Sequence, residues 1–327
     1  MRSDCGRGDV ENRGWRHSWL AIGVFVGLIV GGASTGRGQV TATSTGDAES
    51  GCVICESLAG NVYEPGRWRP LGLRSLFSDG WNEPWASPPN GEGGAPRQGW
   101  LNAYDGVFYR LFLLTFNYAH DVDGNNGDNY AGGLTAYTPL NRRFQLRWDV
   151  PFVTSTPTGT TWGDLQVTPR LLLSETRNFT HSLDVTVRIP TGDQDVGSGI
   201  GAVSPVWNFW YNPWSGLVLR GGVGGFLPYE NATRESVTAN FAPGYYFTDH
   251  DMAPFGDLVG YVSTNLNQLT DNTDAGNTVP NNTTVTITPG FRDYLGANWY
   301  LLGGAEIPVT NPTSFDYQIL GALMKVW

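Results

Sequence analysis

Hydrophobic and polar residues alternate along four segments in the C-terminal two-thirds of the chain. In residues 143–152 every even position is apolar, and the odd positions carry Arg, Gln, Arg, Asp and Pro. The same period of two runs through residues 164–174, with Leu172 as the one exception, and through residues 182–189 and 284–292. This period is typical of β-strands that present one apolar face and one polar face.

Eight weaker runs bring the predicted number of strands to twelve. They lie at residues 107–119, 130–138, 201–211, 215–228, 236–247, 254–265, 296–308 and 315–327. Several are long enough for a tilted strand to cross a bilayer, which takes about 9 to 11 residues. Even strand counts, with long outer loops alternating with short periplasmic turns, are typical of single-chain outer-membrane barrels. The long loops are expected at residues 121–129, 154–161, 191–201, 229–236 and 270–282.

The alternation leaves open which face meets lipid, because a soluble barrel with an apolar interior is the inside-out version of the same pattern. Large aromatic residues near the ends of several runs, such as Trp148, Trp207 and Trp299, favour membrane interfaces. We therefore predict an all-β fold, an antiparallel up-and-down transmembrane β-barrel of about 12 strands over residues 101–327. A soluble sandwich or barrel is the alternative.

With the apolar face toward lipid, the polar face of the strands lines the lumen. The candidate lumen-lining residues are Arg143, Arg147, Asp149, Arg170, Asp184, Arg188, Arg292 and Glu306, which Arg220 could join. Their mixed signs predict arginine–carboxylate pairs that brace neighbouring strands, form a constriction that selects solutes, or do both. Twelve strands fall between the eight that enclose little more than side chains and the sixteen to eighteen that leave an aqueous channel. A narrow route is therefore expected.

The N-terminal third predicts export followed by an irregular segment. In residues 1–33, four arginines precede the apolar run 19–30, and small residues follow, which is typical of a signal peptide cleaved near Ala33. An uncleaved anchor would need a longer apolar run. Residues 34–100 are rich in Pro, Gly and Trp and show no period. Because disordered linkers are poor in aromatic residues, we expect a periplasmic arm that plugs the lumen or covers its periplasmic mouth.

Composition and the chain end indicate the partners. A formal net charge of −10 argues against nucleic acid. The expected partners are outer-membrane lipid, a small-molecule solute and the barrel-assembly machinery, for which the aromatic Trp327 on the last strand resembles a recognition signal. Cys52 and Cys55 predict a local disulfide in an oxidising periplasm, since a lone CxxC lacks the other ligands of a structural zinc site.

Two further groups of residues have the chemistry of a metal site or a catalytic site. The loop DVDGNNGDN begins like a calcium site, with four candidate oxygen ligands in Asp121, Asp123, Asn125 and Asp128. It lacks the Gly and Glu of an EF-hand at positions six and twelve, so an acidic hairpin loop is the alternative reading. A lipid hydrolase would need a histidine such as His181 or His250. His181 and the adjacent Ser182 point to opposite faces of a strand, so they cannot form a catalytic pair by direct contact.

Two stretches resemble a known family, TWGDLQVTPRLLL at 161–173 and VTVRIPTGDQDVGSGIG at 185–201. They are similar to the outer-membrane family of the MetA pathway of phenol degradation, over about residues 105–327. The resemblance implies a β-barrel, without a cofactor, that takes up or binds apolar or aromatic compounds. The motif residues are Gly163, Asp164, Leu165, Pro190, Thr191, Gly192 and Asp193. Residues of these types suit turns. We therefore interpret the two aspartates first as structural residues and only second as ligand contacts.

The sequence thus predicts a narrow channel or binding barrel for small solutes, apolar or aromatic ones included, in the outer membrane of a Gram-negative-type bacterium. A structural or adhesive surface barrel without transport is the first alternative, and a barrel lipid hydrolase is the second.

Overall fold

The computed structural model describes most of the chain from residue 52 onwards. The described residues are 52–327 except 65, 98, 123–126, 195–198, 230–234, 253, 271–272, 275–276, 279–282 and 312. The predicted signal peptide and the first part of the arm lie outside them. Helical structure is confined here to α1 (Val53–Ala59) and two 3-10 turns, Leu73–Ser75 and Glu92–Gly94. None of the helices in this part of the chain has the length and apolarity required to cross a membrane.

Strands account for most of the described chain. They are β1 Leu111–His120, β2 Asn129–Pro139, β3 Phe144–Thr156, β4 Gly159–Thr161, β5 Leu165–Glu175, β6 Phe179–Ile189, β7 Ala202–Trp214, β8 Leu217–Pro228, β9 Ser236–Tyr246, β10 Gly256–Leu269, β11 Thr273–Asp274, β12 Asn277–Thr278, β13 Thr283–Gly296, β14 Trp299–Pro308 and β15 Tyr317–Val326. The short β4 extends the hairpin that β3 begins, and β11 and β12 form a two-stranded hairpin of their own.

Twelve long strands form one closed ring within the described residues. Each pairs antiparallel with its neighbours along the chain, and β1 also pairs with β15, so that Leu111 lies opposite Val326 and His120 opposite Tyr317. Because the first and last strands meet, the ring of twelve long strands has no unpaired edge. This confirms the predicted antiparallel up-and-down barrel of twelve strands.

The two faces of the wall differ sharply in polarity. Outward-facing apolar side chains are exposed, for example Phe116 at 51% and Phe241 at 48%. Inward-facing side chains include Arg170 and Arg220, exposed by 2% and 0%. A soluble barrel would place its apolar face inside, so the soluble alternative is wrong. An exposed apolar band around a closed barrel is the surface that lipid covers.

The two ends of the barrel also differ. The connections 140–143, 176–178, 215–216, 247–255 and 297–298 all lie at the end where β1 begins and β15 stops, which we call the inner end. The connections at the other, outer end are mostly longer. In outer-membrane barrels the short connections are the periplasmic ones.

The first strand differs from the prediction. Residues 107–119 alternate in sequence, but β1 begins only at Leu111. Val107 and Phe108 are exposed by 0% and 1% because they pack inside the barrel rather than in its wall. Buried apolar residues outside a strand give the same sequence pattern as apolar residues of the barrel wall. The period of two therefore could not distinguish these two positions.

Candidate functional site in the barrel lumen

The segment that precedes β1, residues 99–110, runs through the barrel, and we call it the luminal segment. Ser263 on β10 donates a hydrogen bond to the backbone carbonyl of Asn102 at 2.6 Å. The side-chain amide of Asn102 donates to the Thr288 hydroxyl on β13 at 2.8 Å. Arg170 on β5 donates to the carbonyls of Asp105 and Val107 at 2.5 and 3.0 Å. Since these wall residues face inward from well-separated strands, the segment crosses the lumen.

Side chains of the wall satisfy the backbone of this segment. The amide of Tyr104 donates to Asn240 Oδ1 at 2.8 Å, and the Tyr104 hydroxyl donates to Thr238 at 2.8 Å. Asn240 in turn donates to Ser263 and Asn265, both at 2.7 Å. An irregular backbone away from bulk water needs such partners, and the polar lumen supplies them.

Aromatic stacking fixes the start of the segment. Trp100 stacks on Tyr261 with ring centroids 4.8 Å apart and planes 9° from parallel. The guanidinium of Arg220 lies 4.5 Å from the centre of the Trp100 ring and 3.4 Å from Asp105. A β-carbon at Gly244 would come within 2.4 Å of the Trp100 ring. The wall therefore has a recess in which Trp100 sits.

The charged centre of the lumen is built around Arg170. Arg170 lies opposite Asp184 in the β5–β6 register, and its Nε donates to Asp184 at 2.8 Å. The same guanidinium donates to Gln145 at 2.6 Å, and Gln145 donates to the carbonyl of Tyr109 at 2.6 Å. This cluster braces neighbouring strands and also holds the luminal segment.

The other candidate residues occupy different levels of the barrel. Arg147 pairs with Asp149 at 2.9 Å and remains 40% exposed. Arg292 donates to the carbonyl of Asp257 near the inner end at 3.0 Å. Glu306 accepts a hydrogen bond from Thr286 at 2.5 Å. The predicted set is thus distributed along the lumen and does not form a single ring.

Arg143 belongs to the inner end. Its guanidinium donates to the carbonyl oxygens of Gly72, Ser75 and Asp79 at 2.9 to 3.0 Å, and it also reaches Leu172. Arg143 therefore fastens residues 52–97, which we call the inner-end cover, to the ends of β3 and β5.

Glu175 is the main attachment point of the inner-end cover. Its carboxylate accepts from Trp68 at 2.6 Å and lies 3.3 Å from Arg97 and 3.2 Å from Arg142. The backbone N–H of each of Glu175 and Leu71 donates to the carbonyl of the other, both at 2.8 Å. Sequence reasoning missed this cluster, because Glu175 is the last residue of β5, next to a turn, and Arg97 lies in an aperiodic stretch.

The family-motif residues close an outer loop. Asp164 accepts hydrogen bonds from the amides of Gly192, Gly199 and Ile200 at 2.9, 2.7 and 3.1 Å, and pairs with Arg188 at 2.7 Å. Burial alone would raise the pKa of the Asp164 carboxyl, but these hydrogen bonds outweigh it and hold the pKa below its ordinary value.

The remaining motif residues support the same turn. Thr191 donates to the carbonyl of Gly163 at 3.0 Å and accepts from the amide of Leu165 at 2.9 Å. Pro190 follows the end of β6, and Asp193 lies exposed in the loop. These contacts hold the connection before β5 to the long connection between β6 and β7.

Among the cavities of the described residues, three share lining residues of the luminal segment in turn. The outer cavity has about 300 Å³, the middle one about 150 Å³ and the inner one about 80 Å³. Tyr104 lines both the outer and the middle cavity, and Tyr109 lines both the middle and the inner cavity. The luminal segment therefore divides the route at two tyrosines.

The candidate calcium loop is only partly described by the structure. Asp123 and Asn125 lie outside the described residues. Asp128 is engaged by Tyr118 and His120, both at 2.9 Å. Among the described residues there is no group of three or more potential His, Cys, Asp or Glu ligands for a metal.

The remaining residues singled out from the sequence lie at the inner end or in the wall. Cys52 and Cys55 are joined as a disulfide at the start of α1, with Cα atoms 5.1 Å apart. In the wall, Ser182 is fully buried on the inward face and donates to Asp184 at 2.8 Å. His181 is on the outward face and accepts from Trp207 at 3.1 Å.

Comparison with known families now identifies the barrel. Residues 99–309, more than half of the 327-residue chain, match the family described as "Putative MetA-pathway of phenol degradation". The chain belongs to this family. The match begins at the first residue of the luminal segment, so that segment is part of the family domain together with the wall. A search of curated protein sequences gives no match.

Solved structures show the same fold at low sequence identity. The chain is similar to an outer membrane channel from Pseudomonas putida F1, with a TM-score of 0.50 and 13% identity over 70% of this chain and 100% of that one. The NanC porin gives a TM-score of 0.47 and 8% identity over 66% and 99%. The KdgM porin gives 0.44 and 10% over 66% and 99%. The first similarity shows the fold of an outer-membrane β-barrel.

Proposed function

We propose that this protein is a narrow outer-membrane channel for small solutes, including solutes with one aromatic ring, in which the luminal segment sets the constriction. The middle cavity carries the proposal. Its volume is about 150 Å³, and a cavity of about this size holds one benzene molecule. It lies inside a closed barrel and shares Tyr104 with the outer cavity and Tyr109 with the inner one.

The lining of the middle cavity suits a ring with a polar substituent. Trp100, Tyr109 and Tyr137 supply aromatic surface, while Arg147 and Thr168 supply hydrogen-bond donors. Pockets that bind small molecules combine mostly apolar walls with a few placed polar groups. The inner-end cover, held at Glu175, would narrow the periplasmic exit.

Tests of transport should use purified full-length protein. In planar bilayers we expect small, discrete conductance steps. In liposome swelling we expect entry of tyramine, which carries one ring and a charge that slows its passage through lipid, and exclusion of the larger sucrose. Absence of both conductance and tyramine entry would refute the channel. Conductance without tyramine entry would refute the aromatic part alone.

The role of the cover is tested by shortening the chain. A variant that lacks residues 40–98 keeps the luminal segment and the whole wall. We expect it to conduct more than the full chain, because the constriction loses its support at the inner end. Equal flux through both proteins would remove the proposed role of the cover.

A further inference from the structure

We propose that the outer cavity is a binding site for a small organic cation that carries an ammonium group, with Glu306 as its counter-ion. The proposal names a solute class for the proposed channel, but binding from the outer side does not require passage. The cavity has about 300 Å³, which is enough for a small organic molecule.

The walls of this cavity are polar and nearly uncharged. The inward faces of β9, β10, β13 and β14 supply hydroxyl and amide side chains such as Thr238, Asn265 and Thr286. Glu306 is the one charged side chain among the lining residues. The arginine–carboxylate pairs described above involve other residues, which line the middle cavity or lie at the ends of the barrel.

Glu306 has spare capacity for a ligand. A carboxylate accepts about four hydrogen bonds, and within the described part of the chain Glu306 accepts one, from Thr286 at 2.5 Å. No ion pair to Glu306 occurs among the described residues. An ammonium group beside it would make charge-assisted hydrogen bonds, which are about twice as strong as neutral ones.

Two aromatic rings line the same cavity. Tyr104 belongs to the luminal segment, and Phe315 lies in the connection from β14 to β15. The Tyr104 ring is fixed by its bond to Thr238 at 2.8 Å. Aromatic faces attract cations at short range. A carboxylate and aromatic rings around one space are therefore complementary to an organic cation and repel an anion.

The test compares three probes of similar shape and different charge. Benzylammonium, benzyl alcohol and benzoate are titrated calorimetrically into the full barrel in detergent micelles. We expect binding to fall in that order. The Glu306→Gln variant keeps the side-chain size and a hydrogen-bond acceptor, and should weaken benzylammonium binding about tenfold while leaving benzyl alcohol unchanged.

Matched variants separate this site from the general field of the outer end. Glu235→Gln removes the same charge from an exposed position that does not line the cavity, and should leave all three affinities unchanged. Heat-modifiable migration verifies that each variant is folded. Unchanged benzylammonium binding in Glu306→Gln would overturn the proposal, as would benzoate binding as tightly as benzylammonium. A barrel that binds benzylammonium but shows no conductance would refute the channel and support the cation site.

Discussion

Arg170 and Asp184 meet across the β5–β6 pairing at 2.8 Å, and the same arginine holds the luminal segment through the carbonyls of Asp105 and Val107. One guanidinium therefore joins the wall to the constriction. Arg147 provides a comparison, because it lines the same middle cavity as Arg170 but donates its hydrogen bonds to a wall residue, Asp149, at 2.9 and 3.1 Å.

Replacing Arg170 should loosen the constriction. In Arg170→Gln the shorter, neutral side chain loses the bonds to the segment, so we expect a larger single-channel conductance with more noise. Arg147→Gln removes the same charge from the same cavity and should change conductance much less. Planar-bilayer recordings of the two variants check this, and an equal increase in both would show that charge alone controls the flow.

Removing the two dividing tyrosines should connect the cavities. Tyr104→Ala opens the boundary between the outer and middle cavities, and Tyr109→Ala the boundary between the middle and inner ones. We expect faster tyramine entry into liposomes for each variant and the largest effect for the double variant. Tyr104→Phe keeps the ring and should resemble the native protein. If both alanine variants match the native rate, the constriction lies elsewhere.

Glu175 should control attachment of the inner-end cover. Glu175→Gln leaves Arg97 and Arg142, exposed by 4% and 1%, without their counter-charge, and breaking a buried ion pair costs about 3–5 kcal/mol. We expect easier trypsin cleavage within residues 52–97 and a lower unfolding temperature. Glu83→Gln breaks a half-exposed pair with Arg69, worth about 0–1 kcal/mol, and should change neither. Similar cleavage of both variants would contradict the assignment.

The outer loop held by Asp164 should open in acid. The folded-state pKa of this carboxyl is below its ordinary value of 3.8, so its contribution is complete above that pH. The contribution is lost as the pH falls through the lower folded value. Hydrogen exchange at Gly199 and Ile200, corrected for intrinsic rates, should be slow from pH 7 to 5 and accelerate only in strong acid.

The matching variant removes the pH dependence. Asp164→Asn should exchange faster at neutral pH, by about tenfold or more for the lost charge-assisted hydrogen bonds, with no further acceleration in acid. A native loop that already opens near pH 6 would contradict the lowered pKa.

Much of the wall could be predicted from the chain, and much of its interior could not. The alternation in 143–152 and 182–189 identified β3 and β6 because lipid and lumen impose opposite polarities on successive residues. The same rule gave the inward direction of Arg170 and Arg292. It failed at Val107 and Phe108, which are buried inside the barrel without belonging to its wall. It also missed Glu175 and Asn240, whose partners are distant in sequence.

The sequence by itself determined the number of long strands, their antiparallel up-and-down order and which of their positions are polar or apolar, because each depends on local period and on connection length. Only the tertiary structure decided that residues 99–110 cross the lumen, that Arg143 serves the inner end, and that Glu306 faces a cavity of its own. These facts depend on which residues meet across the barrel. Those contacts are set by the register of many strands together, which no single stretch of the chain encodes.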